Sequence, residues 1–241
     1  MVPRFEDVVA GYCGARHAVA VNSATSALHI ACMALDLGPG DWLWTSPITF
    51  VASSNCALYC GARVDFVDID PRTYNMCPQA LEAKLVEAEA HGRLPKIVVP
   101  VHLCGQPCDM QAIHALAQKY GCRLYIDDAH SLGVLGPEGR GTAHYFGLPH
   151  APDLVMGTFS KSFASIGGFV AGDVDAVHYI KHKARPFIFS AAMPPAAAGT
   201  VIECLKIVQE EPEHLANLWK NARRMSDELQ RMGYNTLGSR T

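Results

Sequence analysis

Charge is scarce in this chain. Only 18% of its 241 residues are Asp, Glu, Lys or Arg, and 23 acids against 20 bases leave a formal net charge of −3. That balance offers no basic footprint for nucleic acid and no cationic face for a membrane surface. Apolar runs long enough to span a bilayer, roughly 18 residues, are missing. The opening Met1-Val2-Pro3-Arg4-Phe5-Glu6-Asp7 has no apolar core and so does not read as a secretion signal. No internal repeat and no low-complexity tract interrupts the sequence.

A disulfide framework is lacking too. The nine cysteines are scattered through apolar segments such as Ser54-Asn55-Cys56-Ala57-Leu58-Tyr59-Cys60. Such a distribution predicts buried free thiols and a reducing, cytoplasmic location. Cys56/Cys60 and Cys104/Cys108 are each four residues apart, but neither pair has a second ligand pair in reach, so no metal site is expected.

What the chain does have is apolar residues, 49% of the total, enough for a substantial core. Short apolar runs alternate with helical patterns. Strands are predicted at Ala18–Val21, Trp42–Trp44, Val64–Val67, Ile97–Val101, Leu124–Ile126, Leu154–Met156 and Gly168–Ala171. Helices are predicted over Thr25–Leu37, Ala52–Cys60, Pro78–Ala90, Met110–Tyr120, Val174–Arg185, Pro195–Glu210 and Glu213–Met232. The alternation predicts an α/β domain with helices on both faces of a mostly parallel sheet. The last two strands are joined by too short a link for a crossover, which predicts one antiparallel strand. Residues 1–185 are expected to form a large domain, and residues 186–241 a helical linker with the start of an incomplete small domain.

Two segments carry the chemistry. Lys161 lies in Gly157-Thr158-Phe159-Ser160-Lys161-Ser162, just past an apolar run, and Asp127 ends Leu124-Tyr125-Ile126-Asp127. A lysine at one strand end can bind an aldehyde cofactor as a Schiff base. An acid at another strand end can hold a pyridine nitrogen protonated, so that the ring works as an electron sink. Pyridoxal 5'-phosphate (PLP) needs that pair. Lys161, Asp127 and His130 are therefore the candidate catalytic residues, His130 facing the cofactor's phenolic oxygen. Ala24 and Thr25, in Asn22-Ser23-Ala24-Thr25-Ser26-Ala27, would offer backbone N–H groups at a helix N-terminus to a phosphate. Thr158 and Ser160 add hydroxyls beside the lysine, and Phe50 is placed to stack on the ring. Asp128 is expected to point to the opposite face of its strand end.

These residues resemble the fold-type-I PLP-dependent transferases, in two styles. Up to about residue 125 the chain is similar to the DegT/DnrJ/EryC1/StrS sugar aminotransferases, in particular those making pseudaminic-acid precursors, through Val19–His29, Trp44–Ala52 and Pro100–Pro107. From about residue 126 it resembles the α-oxoamine synthases of the serine palmitoyltransferase type, through Asp127–Gly133, Gly136–Gly141, Gly157–Ser162 and Arg185–Ser190. The Ser-Phe-His-x-x-Lys run of the sugar aminotransferases is missing, and Phe50 stands where the synthases place a histidine. The resemblance implies a three-layer large domain with a truncated small domain. It also implies a homodimer in which Ser190 reaches the neighbouring subunit's cofactor phosphate.

Two chemistries follow from the resemblance. The favoured expectation is an aminotransferase moving an amino group from an amino acid donor to a nucleotide-linked keto-sugar, because of Phe50 and the absent histidine. The alternative is decarboxylative condensation of an amino acid with an acyl-CoA. A third expectation is an inactive PLP-binding fragment or fusion, since the family's N-terminal arm and complete small domain have no counterpart here.

Overall fold

Most strands of the fold are short apolar or β-branched runs, and helices such as Val2–Cys13 and Met110–Tyr120 carry one apolar face. The structure, a computed structural model, describes residues 1–236; positions 237–241 of the expected linker segment lie outside it. In chain order the elements are α1 (Val2–Cys13), β1 (His17–Val21), α2 (Ala24–Ala34), β2 (Trp42–Thr45), α3 (Ala52–Tyr59), β3 (Arg63–Phe66), α4 (Pro78–Ala90), β4 (Ile97–Val99), α5 (Met110–Tyr120) and β5 (Arg123–Asp127). There follow α6 (Thr142–Tyr145), β6 (Leu154–Thr158), β7 (Gly168–Gly172), α7 (Val174–Lys183), α8 (Arg185–Ile188), α9 (Pro195–Glu210) and α10 (Glu213–Arg231).

The strands form one seven-stranded sheet in the order β1-β7-β6-β5-β4-β2-β3. β2 through β6 pair in parallel, whereas β7 runs antiparallel to both β1 and β6. The expected α/β class with one antiparallel strand is thus the observed one. Side chains alternate between the faces, as the pleat requires. Ile97, Val99 and Tyr125 pack under α2, α3 and α7, while Val98, Leu124 and Ile126 pack under α4 and α5. Over β1 and β7 the second face is covered by α1 and α9: Phe5 and Val9 meet Ala198, Val201 and Leu205 around Phe159, Phe163 and Phe169. The core therefore continues past residue 185. Burying each such aromatic or aliphatic side chain is worth roughly 1.5–3 kcal/mol. None of the residues of α10 is buried; its Trp219 indole donates to the Val134 carbonyl at 3.1 Å.

Most element ends differ from expectation by a residue or two, and three of the shifts have a local reason. β4 stops at Val99 because Pro100 has no N–H to give a ladder; Val101 then makes a lone parallel bridge to Asp127. α2 ends at Ala34, followed by Asp36 in the left-handed region at φ 57°. The helix expected over Val174–Arg185 ends at Lys183, because Ala184 is extended (φ −73°, ψ 100°) ahead of Pro186. Among the described residues no helix is long and apolar enough to cross a membrane.

Candidate active site

At the carboxyl ends of the central strands, where open α/β sheets hold ligands, a cleft of about 550 Å³ opens between the start of α2, the end of β5 and the loop after β6. That volume suits a small cofactor. Ala24, Thr25, Phe50, Asp127, His130, Thr158, Ser160 and Lys161 all line it. Ser190 does not. It lies in a neighbouring hollow with Asn22 and Ser26, its hydroxyl donating to the Pro186 carbonyl at 2.5 Å.

The start of α2 is set by Ser23, which caps the helix from an extended conformation (φ −160°, ψ 156°) while its Oγ accepts from the Ser26 N–H at 3.2 Å. Ala24 and Thr25 thus occupy the first turn, where N–H groups lack helical acceptors and the helix dipole favours an anion. On the far wall, the Thr158 and Ser160 hydroxyls lie 3.0 Å apart. Two backbone bonds shape the lysine loop, Phe159 N–H to Gly167 O at 3.0 Å and Ser165 N–H to Phe159 O at 2.7 Å. Phe159 roots the loop in the core while Lys161 stays exposed.

Asp127 closes the floor of the cleft. It is 8% exposed, and its Oδ1 accepts from the Ala129 N–H at 3.1 Å. Burial raises its pKa above the ordinary carboxyl value; the Ala129 bond and the Lys161 charge offset part of that rise. The His130 imidazole is held below its ordinary pKa by burial and by the Lys161 cation, so at neutral pH it is a neutral donor or acceptor. Phe50 sits at the rim, 69% exposed.

Asp128 faces the other way, as its place on the strand end predicts. It is 2% exposed and accepts from the Thr142 N–H at 2.9 Å and from Thr142 Oγ1 at 2.5 Å. Reasoning from the sequence missed the apolar lining: Leu103, Met156 and Ile166 also face the cleft. Met156 alternates correctly on β6 and was within reach of a period-two pattern. Leu103 opens a single 3-10 turn and Ile166 sits in an irregular loop, and neither gives such a signal.

The residues present fit PLP. A helix N-terminus and two hydroxyls suit its phosphate, and an exposed amine suits its aldehyde. Asp127, a buried acid, would gain a partner in a protonated ring nitrogen.

Residues 1–143 match the DegT/DnrJ/EryC1/StrS aminotransferase family, so the match runs past the expected change of style near 125 and takes in Asp127 and His130. Over 126 residues the chain is 52% identical to a serine palmitoyltransferase of Bacteriovorax stolpii, a stretch that is 52% of this chain and 30% of that protein. It is 46% identical over 133 residues to an 8-amino-7-oxononanoate synthase/2-amino-3-ketobutyrate coenzyme A ligase of Thermus thermophilus, covering 55% of this chain and 34% of that protein. The solved serine palmitoyltransferase of Sphingomonas wittichii superposes with a TM-score of 0.82 at 26% identity, covering 96% of this chain and 57% of that one. The matched stretches thus span about a third of the curated relatives, and the chain as a whole a little over half of the solved one.

Proposed function

Since the chain belongs to the DegT/DnrJ/EryC1/StrS aminotransferase family and is a PLP-dependent transferase of fold type I, we propose that it joins an amino acid to an acyl-CoA with loss of carbon dioxide, as α-oxoamine synthases do. The observation that carries this is the 52% identity over 126 residues to a protein named serine palmitoyltransferase. The synthase-like motif around Lys161 agrees with it. The expected preference for keto-sugar transamination rested on Phe50 and on the absent synthase histidine. Phe50 at the rim, 69% exposed, gives that preference little support, and the acyl-CoA alternative takes its place.

When bound, PLP supplies an electron sink for the charge left on the amino acid's α-carbon. The protein's groups do the rest. The Ala24 and Thr25 amides and the Ser160 hydroxyl would hold the phosphate. Asp127 keeps the proton on the ring nitrogen, an opposite charge in contact being worth roughly 1–3 pKa units. His130 hydrogen-bonds the phenolic oxygen. Lys161 would hold the aldehyde, and its amine is the group that would take a proton from the substrate as general base. Leu103, Met156 and Ile166 keep water from the reacting face.

The test offers purified protein L-serine, L-alanine or glycine with a series of acyl-CoAs, and measures released carbon dioxide and free CoA thiol. Both should appear in equal amounts. Formation of pyridoxamine phosphate from L-glutamate without thiol release would favour the aminotransferase function, for which the family match over 1–143 speaks. Neither product would leave a cofactor-binding module.

The same proposal includes a cytoplasmic homodimer. Support comes from nine cysteines free of disulfides and from apolar side chains left exposed on and beside α3, among them Val51 (58%), Leu58 (53%) and Tyr59 (57%). Ser190 would serve the partner's phosphate. Sedimentation with and without PLP checks the assembly; a monomer in both would end it.

A further inference from the structure

Asp128 is a buried acid that the proposed chemistry does not use. Its carboxylate accepts two bonds from Thr142, 2.9 Å from the N–H and 2.5 Å from the hydroxyl. Gly141 makes room for this contact: at φ 99° it is in glycine's territory, and a Cβ there would come within 2.2 Å of Asp128 Oδ2. His102 approaches from the β4 side. Its Nδ1 accepts from the Cys108 N–H at 3.1 Å, which puts the neutral ring's proton on Nε2, 3.9 Å from Asp128 Oδ1. Burial holds the His102 pKa down to about 3, so this is not an ion pair.

The backbone of Asp128 is tied equally firmly. Its N–H donates to Met156 O on β6, and its carbonyl receives the Ser131 and Leu132 N–H groups, all at 3.0 Å. The Leu132 carbonyl, in turn, accepts from Ser162 Oγ at 2.7 Å. Ser162 follows Lys161 directly. Gly133 (φ 77°) is needed at this crossing, because a Cβ there would lie 2.8 Å from that same hydroxyl. Thr142 thus holds the Asp128 carboxylate, and the Asp128 carbonyl is linked through Leu132 to Ser162, so that hydrogen bonds join the residue after Asp127 to the residue after Lys161.

We propose that Asp128 is a positioning residue: through this strap it fixes the separation between the Asp127 carboxylate and the Lys161 amine. The inference rests on Lys161 and Asp127 being the cofactor's residues, and is indifferent to which transfer follows. A buried charge is a costly way to fill space, and fully bonded polar groups are a means of specifying one geometry. Small displacements of reacting groups cost large factors in rate, about a hundredfold for 1 Å.

The test uses Asp128→Asn, Thr142→Val, Thr142→Ser, Ser162→Ala and the double variant Asp128→Asn/Ser162→Ala. The readout is the rate at which apo-protein captures PLP, followed by the cofactor's visible absorbance, alongside the melting temperature without PLP. Asp128→Asn, Thr142→Val and Ser162→Ala should each slow capture about tenfold or more, and Thr142→Ser should restore it. The double variant should be no slower than the slower single, since one loosens the anchor of the strap that the other cuts. Additive effects, a silent Ser162→Ala, or slowing that merely follows the melting temperature would overturn the proposal. Should Asp128→Asn fail to fold, the Thr142 pair and Ser162→Ala, at a partly exposed site, still decide it. Undiminished capture by Lys161→Ala would instead show that the cofactor assignment is at fault.

Discussion

Asp127 and Asp128 are consecutive and both buried, yet their carboxylates serve opposite sides of the β5 end. Asp127 lines the cleft with its Oδ1 on the Ala129 N–H, whereas Asp128 is turned into the Gly141–Thr142 loop. Only the first can meet a ligand in the cleft.

Asp127→Asn keeps the shape and removes the charge that would hold the ring proton. Turnover should fall by orders of magnitude, with PLP affinity changed far less. Asp128→Asn should be the milder of the two in steady-state rate. Parallel rate and PLP-titration measurements check this; a reversed order means that the wrong carboxylate has been placed against the ring.

Lys161 should be the residue that becomes covalently modified. Borohydride treatment of the PLP-loaded protein, followed by peptide mapping, should find the pyridoxyl group in the Gly157–Phe163 segment. Lys181, the partner of Glu6, should stay unmodified. A label elsewhere would move the active lysine.

Several elements were legible because residue chemistry marks their ends. α4, α5 and α9 match expectation at both termini: Pro78 and Pro195 sit in first turns, and Gly121 takes the left-handed cap at φ 67°. The antiparallel β7 followed from the length of the lysine loop. The gathering of Ala24, Asp127, His130 and Lys161 followed from their all lying at carboxyl ends of strands. The Asp128–Thr142 clamp and the Ile166 wall were not legible. Both depend on how irregular loops fold back, where no period and no propensity speaks. Phe50 was legible as an aromatic after β2, but its exposure is decided by how the loop ahead of α3 tilts.

Burial raises the Asp128 pKa from 3.8 to about 6, against the opposing Thr142 bonds. The native state therefore holds this proton more tightly than the unfolded chain does. Its favourable contribution is complete below about pH 4 and is lost as pH rises through about 6, an effect of roughly 3 kcal/mol. Between pH 4 and 7 the stability of Asp128→Asn should accordingly fall less, or rise more, than that of the parent. Urea titrations at several pH values would show it; parallel curves for the two proteins would mean that Asp128 titrates normally.

Phe159 and Phe50 make a closing contrast, one aromatic for the fold and one for the cleft. Phe159 is fully buried, with ring centroids 5.4 Å from Phe5 and 5.6 Å from both Phe163 and Phe169. It anchors the lysine loop where β6 ends. Phe159→Ala should cost roughly 3–5 kcal/mol through lost burial and a residual cavity, a large part of what a domain has to lose. At roughly 2–4 °C per kcal/mol for a chain of this size, the melting temperature should drop by about 6–20 °C. Excess PLP should recover part of that by binding only the native state. Phe50→Ala, at an exposed site, should leave the PLP-free melting temperature unchanged and alter only cofactor or substrate affinity. If both variants melt alike, Phe159 is not the root of the lysine loop that its four-ring packing makes it.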